Sequence, residues 1–260
     1  MVGVLHPGAM GAAIGSALRP RAGAVIWAAA GRSRATSKRA ELADLVGVPD
    51  TAAVARRSDV IVSVCPPHAA REVAEEVAVA LDPAPGGRIP VYVDANAVSP
   101  ATVAEIRAVV EGAGGRFVDG GIVGPPPERA GTTRLFLSGA EAETVAAAFA
   151  GTVVETPLLG RDPGRASALK MAYAAWTKGT AALVLAIRAT ARAEGVEDAL
   201  LAEWARSQPD ATGRSEAAAD AVARKGWRWI AEMEEIAATF AAAGQPDGFH
   251  RAAAEVFRGT

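Results

Sequence analysis

The 260-residue chain has one cysteine, three histidines and only 5% aromatic residues. A single cysteine excludes an internal disulfide, and the chain reads as an intracellular, cytoplasmic protein. So few histidines, with no H-x-x-x-H or C-x-x-C spacing, leave a metal site without support. Half the residues are hydrophobic while aromatics are scarce, so the core must be built from Ala, Val, Leu and Ile. Neither sign of charge dominates: 27 Lys and Arg stand against 29 Asp and Glu, a net charge of −2. That balance argues against a nucleic-acid binder, which carries a basic stripe. No basic residue precedes Arg19, so the charged start of a secretory signal is not expected. The most apolar helical stretch is cut by Lys178 and Arg188, short of the ~18 residues a membrane span needs.

What is present falls into two regimes. Up to about residue 156, Val2–Leu5, Ala24–Trp27, Val60–Cys65 and Val91–Asp94 read as buried strands. Helical patterns lie between them, near 9–18, 35–46, 68–81 and 100–112. Phe117–Asp119, Arg134–Ser138 and Val153–Thr156 look like later strands. Strands alternating with helices imply right-handed crossovers and a mostly parallel, doubly wound sheet. After residue 160 the strand signal stops. Asp162-Pro163-Gly164 fits a helix start with Asp as N-cap. Helices are expected up to about Glu194, then over 198–206, 214–242 (broken at Gly226) and 247–257. The expected class is α/β: a Rossmann-like domain over 1–160 and an all-helical domain over 161–260. The long first helix has little core of its own, so a homodimer through the C-terminal helices is expected.

Val2-Gly3-Val4-Leu5-His6-Pro7-Gly8-Ala9-Met10-Gly11 is a strand, a turn and a helix start. A dinucleotide fold wants G-x-G-x-x-G there, for a tight turn, an approach to the pyrophosphate and close helix packing. Backbone amides and the helix dipole then hold phosphate. Gly8 and Gly11 take the second and third places, and His6 takes the first. His6 is expected only to cover the turn, held extended by the proline after it. NAD sites place Asp or Glu about 20 residues after the glycines to bind the ribose 2′-hydroxyl. Here no acidic residue precedes Glu41, while Gly31-Arg32-Ser33-Arg34 follows the second strand. Guanidinium and hydroxyl donors suit a 2′-phosphate, which points to NADP(H).

These residues resemble the 6-phosphogluconate dehydrogenase-like, or β-hydroxyacid dehydrogenase, superfamily, whose opening I-G-x-I-G-x-G-x-M-G is followed except at His6. The resemblance covers most of residues 1–194. The stretch from Trp227 to Phe257 resembles a little-characterised helical domain of a subgroup. By resemblance, Arg32 binds the 2′-phosphate, and Cys65, Pro66 and Pro67 pass the adenosine side. Asn96, in Asp94-Ala95-Asn96-Ala97-Val98-Ser99-Pro100, lies near the nicotinamide ribose, with Ser99 and Pro100 opening a helix. Lys170 would act on the substrate oxygen.

Two departures stand out. Val123, before Gly124, falls where the family uses Ser for a substrate carboxylate, and Ala174 falls where it uses Asn. Tyr173 offers a replacement donor. Ser167, Lys170, Tyr173 or Ala174, and Thr177 share a helix face, and Tyr173 and Thr177 join Val123 and Gly124 as expected substrate contacts. Pro125-Pro126-Pro127 makes a stiff loop. Glu232 and Glu235, one turn apart, are expected at the surface, and His250 as a surface or packing residue. The resemblance implies an NADPH-dependent oxidoreductase acting on a small carbonyl or hydroxy substrate. The lost Ser and Asn leave open an imine or iminium reductase, and also a non-catalytic NADP-binding sensor or assembly protein.

Overall fold

The computed structural model describes residues 1–81 and 89–259. It contains two compact units, Met1–Lys170 and Met171–Thr260. The boundary falls inside a helix rather than between residues 160 and 161.

The first unit is built on strands β1 (Val2–Leu5), β2 (Val25–Ala28), β3 (Val46–Val48), β4 (Val60–Ser63), β5 (Val91–Asp94), β6 (Arg116–Val123), β7 (Thr133–Ser138) and β8 (Val154–Glu155). They form one sheet in the order β3-β2-β1-β4-β5-β6-β7-β8. The first six run parallel, β7 turns antiparallel to β6, and β8 follows β7. The chain therefore winds outward twice from a switch point between β1 and β4, the doubly wound arrangement expected.

Side chains alternate across the pleat and both faces are covered. Val4, Trp27, Val62 and Val93 face a layer with Ile14 and Leu18 of α1 (Ala9–Leu18) and Phe149 of α6 (Ala142–Phe149). Leu5, Ile26, Ile61 and Tyr92 face the other. That layer holds Val54 of α3 (Thr51–Arg57), Val77 of α4 (Ala70–Ala80) and Ile106 of α5 (Pro100–Gly112). Each such aliphatic side chain contributes about 1.5–3 kcal/mol on full burial.

Three local expectations are corrected. The helical pattern at 35–46 is the shorter α2 (Arg34–Leu42), after which Val46–Val48 joins the sheet edge as β3. Two of its three residues are exposed, so no apolar alternation announced it. Helix α3 was not expected; its Asp50 cap accepts from Ala53 N at 2.7 Å. Strand β6 runs on to Val123, because it pairs with β7 from Asp119 onward.

The second unit, from Met171, holds the remainder of α7 (Arg165–Ala193), α8 (Glu197–Ser207), α9 (Ala211–Ala242) and α10 (Gly248–Arg258). Glu197 on α8 accepts from Arg188 and Arg192 of α7, and Arg188 also donates to Ser215 of α9. Trp229 meets Phe257 edge-on with ring centroids 5.2 Å apart, which joins α9 to α10. Helix α9 is not broken at Gly226: the glycine is buried, and a Cβ there would lie 2.7 Å from Val222 Cγ1. Among the described residues no helix is long and apolar enough to cross a membrane.

Candidate functional site

Leu5, Ser63, Asp94 and Asp119 stand in register across β1, β4, β5 and β6. The turns that follow β1, β4 and β5 therefore gather at one end of these strands, beside the middle of β6, around the switch point where open α/β sheets bind ligands.

The turn after β1 ends in the N-terminus of α1. Gly8 is the N-cap and supplies no side-chain bond, and the first intrahelical bond is Ala12 N to Gly8 O at 2.9 Å. Helix geometry leaves the amides of Ala9, Met10 and Gly11 without acceptors in the helix, and the first turn carries no acidic residue. A Cβ added at Gly8 would have only His6 O, at 4.0 Å, as a neighbour, so the turn is open to a ligand there. At Gly11 the same atom would lie 2.7 Å from His6 O, so only glycine lets the helix pack this closely. Pro7 is buried, Ala9 exposed, and Met10 packs against the core layer of Val4. These residues fit a dinucleotide diphosphate.

His6 is not extended, as the following proline suggested. Its φ is 61°, the left-handed region, and Gly8 N donates to its carbonyl at 2.7 Å. The first place of the glycine motif thus keeps a glycine-like backbone although a histidine fills it, a strain of about 1–2 kcal/mol. Burial and the Arg32 guanidinium lower the His6 pKa to about 4, against an opposing pull from Glu76. Arg32 is half-buried, its Nε enclosed without a partner. Gly31 takes φ 71°, and Ser33 caps α2 by accepting from Thr36 N. Arg34 is exposed as the first residue of that helix. Among these, Arg32 is the residue the fold places beside His6 in the turn after β1.

Cys65 is buried, and desolvation pushes its thiol up to about 12, with Asp94 adding to the effect. It is an inert packing group. Pro66 and Pro67 follow it, half-buried. Asn96 is only 2% exposed and engaged in holding the loops. Its Oδ1 accepts from Cys65 N at 2.6 Å, its Nδ2 donates to Ser63 Oγ at 3.2 Å, and its own N donates to Asp94 at 2.9 Å. That side chain fixes the turn after β4 to the turn after β5, a positioning task. Ser99 caps α5 ahead of Pro100, as expected.

Asp119 is expected from the sequence only as the end of a strand, yet it organises the start of α7. Fully buried, its Oδ2 accepts from Gly164 N, Ala166 N and Ser167 N at 2.8, 2.9 and 3.1 Å. Ser138 Oγ donates to the same oxygen, and Ser167 Oγ donates to Oδ1 at 2.6 Å. Asp119, not Asp162, therefore caps α7; Asp162 is exposed and pairs with Arg165. The signal that could have identified it is a carboxylate inside an otherwise apolar strand. One turn on, half-buried Lys170 packs by its Cβ toward Gly121. A Cβ at Gly121 would lie 2.5 Å from Ala166 O, so the Gly120-Gly121 pair lets α7 approach the sheet and sets Lys170 just beyond Asp119.

The expected polar stripe on α7 is divided. Ser167 is engaged by Asp119, and Thr177 bonds back to the carbonyls of Tyr173 and Ala174. Tyr173 and Thr177 are exposed and belong to the second unit, and Ala174 is buried. Val123 is buried at the end of β6, opposite Arg134, so it presents no open contact to a substrate. Gly124 is exposed with φ 118°, and Thr133 Oγ1 pins the proline loop through Pro125 O at 2.6 Å.

In the second unit Glu232 is not a surface residue. It is 8% exposed and pairs with Lys178 Nζ at 2.5 Å, beside the Trp229 ring. Glu235 is half-buried. His250 is a buried packing residue, edge-on to Phe240 at 4.2 Å, its pKa lowered by desolvation. It lines an apolar cavity of about 330 Å³ with Trp176, Gly179, Leu183, Phe249 and Val256. Among the described residues no group of three or more His, Cys, Asp or Glu could hold a metal.

A family described as a domain of unknown function (DUF1932) matches residues 191–260. No curated protein matches the chain significantly. Among solved structures, the chain is similar to a conserved protein of unknown function reported to resemble 3-hydroxyacid dehydrogenases. The identity is 25%, with 99% of this chain and 95% of that one covered at TM-score 0.69. It is also similar to 3-hydroxyisobutyrate dehydrogenase from Salmonella typhimurium, at 18% identity, 99% and 93% coverage and TM-score 0.75. A third is the imine reductase from Myxococcus stipitatus in complex with NADP+, at 21% identity, 100% and 93% coverage and TM-score 0.60. The resemblance drawn from the opening motif thus holds for the architecture: the chain has the fold of the 3-hydroxyacid dehydrogenases, a Rossmann-like sheet followed by helices, and its residues 191–260 match the DUF1932 family.

Proposed function

We propose that the chain is an NADP(H)-dependent oxidoreductase acting on a small carbonyl or hydroxy compound. One observation carries this reading: the open amides of α1 at the switch point, with Arg32 beside them and no carboxylate in the whole stretch before Glu41. The solved relatives of the same fold include a hydroxyisobutyrate dehydrogenase and an NADP+ complex, which supports it. The nicotinamide supplies or accepts the hydride. The chain's residues do the rest: the Ala9–Gly11 amides hold the diphosphate, Arg32 holds the 2′-phosphate, and Asn96 keeps the two neighbouring turns in register. Lys170 donates a hydrogen bond to the substrate oxygen, favouring the developing alkoxide and giving it a proton.

A second reading, reduction of an imine, is favoured by apolar Val123 and Ala174 where a hydroxyacid site would use Ser and Asn. A site without those groups is poorly made for a carboxylate. A second copy of this chain is the proposed partner, covering the exposed side chains of Trp176, Leu183 and Ile187 on α7 and Phe249 on α10. The proposed location is the cytoplasm.

The test combines binding and turnover. NADP+ should bind at least about tenfold tighter than NAD+, a difference of about 1.4 kcal/mol, and Arg32→Ala should remove the preference. In a screen of keto acids, aldehydes and cyclic imines, Lys170→Ala should keep nucleotide affinity and lose about 10²–10⁴-fold in kcat. Undiminished turnover in that variant rejects the catalytic role of Lys170. Tight NADP+ binding without turnover on any class favours the sensor reading.

A further inference from the structure

We propose that His6, standing where the glycine motif has its first glycine, is itself a ligand for a phosphoryl group of the bound dinucleotide and takes up a proton as that group binds. The inference rests on the nucleotide reading above and adds to it one residue and one proton.

The turn does not need a histidine. Its backbone sits at φ 61°, and among the described residues only Asp44 is another non-glycine residue with positive φ. A glycine would take that conformation without strain. Strain of this kind clusters at ligand sites, where the surroundings over-determine it. What histidine adds is its imidazole, which is half-buried and makes no hydrogen bond among the described residues, with Nδ1 enclosed. The neighbouring Arg32 has its Nε enclosed without a partner as well. Two nitrogen-bearing side chains without acceptors thus stand beside a helix N-terminus whose first amides have none in the helix. All of these groups are satisfied together by one anion with several acceptor oxygens.

The charged groups that face His6 are Arg32, from the loop after β2, and Glu76, from α4. Cys65, from the turn after β4, also lies within reach of Arg32, and its thiol stays protonated. Without an anion, burial and Arg32 keep the imidazole neutral, with a pKa of about 4. An anionic phosphoryl group between imidazole and guanidinium opposes the field of Arg32 and favours the imidazolium. Both ring nitrogens then carry hydrogen, and Nε2–H donates to a phosphate oxygen. The balance is one proton from solvent per dinucleotide bound, and no covalent bond changes.

The experiment is calorimetric titration of NADP+ at about pH 7.5 and about pH 5.5, in buffers of different ionisation heat. Wild type is compared with His6→Gly, which restores the ordinary turn and carries the ligand's own titration as a control. If the bound imidazole regains an ordinary pKa near 6.5, wild type gains about tenfold in affinity over that interval relative to the variant, with proton uptake approaching one. Titration of the His6 ring proton by NMR in the wild type, free and with NADP+, reads the same quantity without any variant; its midpoint should rise on binding. An NAD+ arm distinguishes the source of the phosphate. Linkage with both nucleotides assigns it to the diphosphate, and linkage with NADP+ alone assigns it to the 2′-phosphate; either supports the proposal. If both proteins bind NADP+ with the same pH dependence and the ring midpoint stays put, the proposal is overturned and the nucleotide reading stands. If wild type binds neither nucleotide at either pH, both fall.

Discussion

Aromatic residues in the first unit, Trp27, Tyr92, Phe117, Phe136 and Phe149, are all buried or half-buried. In the second unit Tyr173, Trp176, Trp227 and Phe249 are 46%, 69%, 66% and 80% exposed. A two-faced sheet closes over its own apolar residues. A few helices cannot, because each offers one stripe and the outermost stripes face outward. The difference also reaches the polar groups. The first unit uses buried carboxylate and amide side chains, Asp119 and Asn96, to hold backbone amides. The second ties its helices with side-chain ion pairs, Lys178–Glu232 and Arg188–Glu197. The first unit encloses its aromatic residues; the second leaves these four at its surface.

The sharpest way to break the first half of that comparison is Asp119→Ala. Gly164 N, Ser167 N and two hydroxyls lose their acceptor, and Ala166 N keeps only Ser138 Oγ at 3.1 Å. Leaving buried donors unsatisfied costs about 1–3 kcal/mol each where no water replaces the acceptor, so a total loss of at least about 3 kcal/mol is expected. Asp119→Asn should lose less, because the amide oxygen still accepts. Urea unfolding reads both, and hydrogen exchange at Ala166 and Ser167 locates the effect at the start of α7. A loss under about 1 kcal/mol would show that the helix start is held by something else.

The second half is tested at the exposed aromatics. Trp176→Glu and Phe249→Glu should leave the helical circular dichroism unchanged but shift sedimentation from dimer to monomer. Each aromatic removed from an interface forfeits about 2 kcal/mol or more, so Kd should weaken by about thirtyfold or more per substitution. Trp27→Glu, which puts a charge into the sheet core, should instead unfold the first unit. If Trp176→Glu sediments as wild type, or unfolds the protein, that face is not an interface between copies.

These contrasts also explain what could be read from the chain alone. The strands Val2–Leu5, Val60–Ser63 and Val91–Asp94 are short apolar runs buried on both faces, so composition and bounding residues suffice to find them. The turn between β1 and α1 is local in sequence and was legible for the same reason. The cap of α7 was not, because Asp119 lies 45 to 48 residues from its partners and its role exists only after β6 and α7 meet. Nearby Asp162 carries the local signature of a cap but pairs with Arg165 instead. Glu232 misled in the opposite sense: its partner Lys178 is 54 residues away, and a carboxylate seen without its partner reads as surface. The φ of His6 reversed a sound local rule, since the tertiary need for a tight turn outweighed the preference of a residue before proline.

That histidine gives the smallest effect and the finest test of the first unit's tight closure. His6→Gly removes the positive-φ penalty but frees the unfolded chain and forfeits some packing, so near neutral pH the change should stay within about 1 kcal/mol of zero. The pH dependence should change more clearly. With the folded pKa near 4 and the unfolded value 6.5, the unfolded state takes up a proton that the folded state refuses as pH falls. Stability of the wild type therefore drops between about pH 6.5 and 4 and levels off below, where both states are protonated. His250, whose pKa burial also lowers, adds a drop of the same sign, but it is common to both proteins and cancels in the difference. Urea unfolding of the two proteins from about pH 7.5 to 4.5 should thus show the variant gaining on the wild type as acid is added. Parallel curves would mean that the imidazole titrates as if in water, and that the turn after β1 is more open than its burial implies.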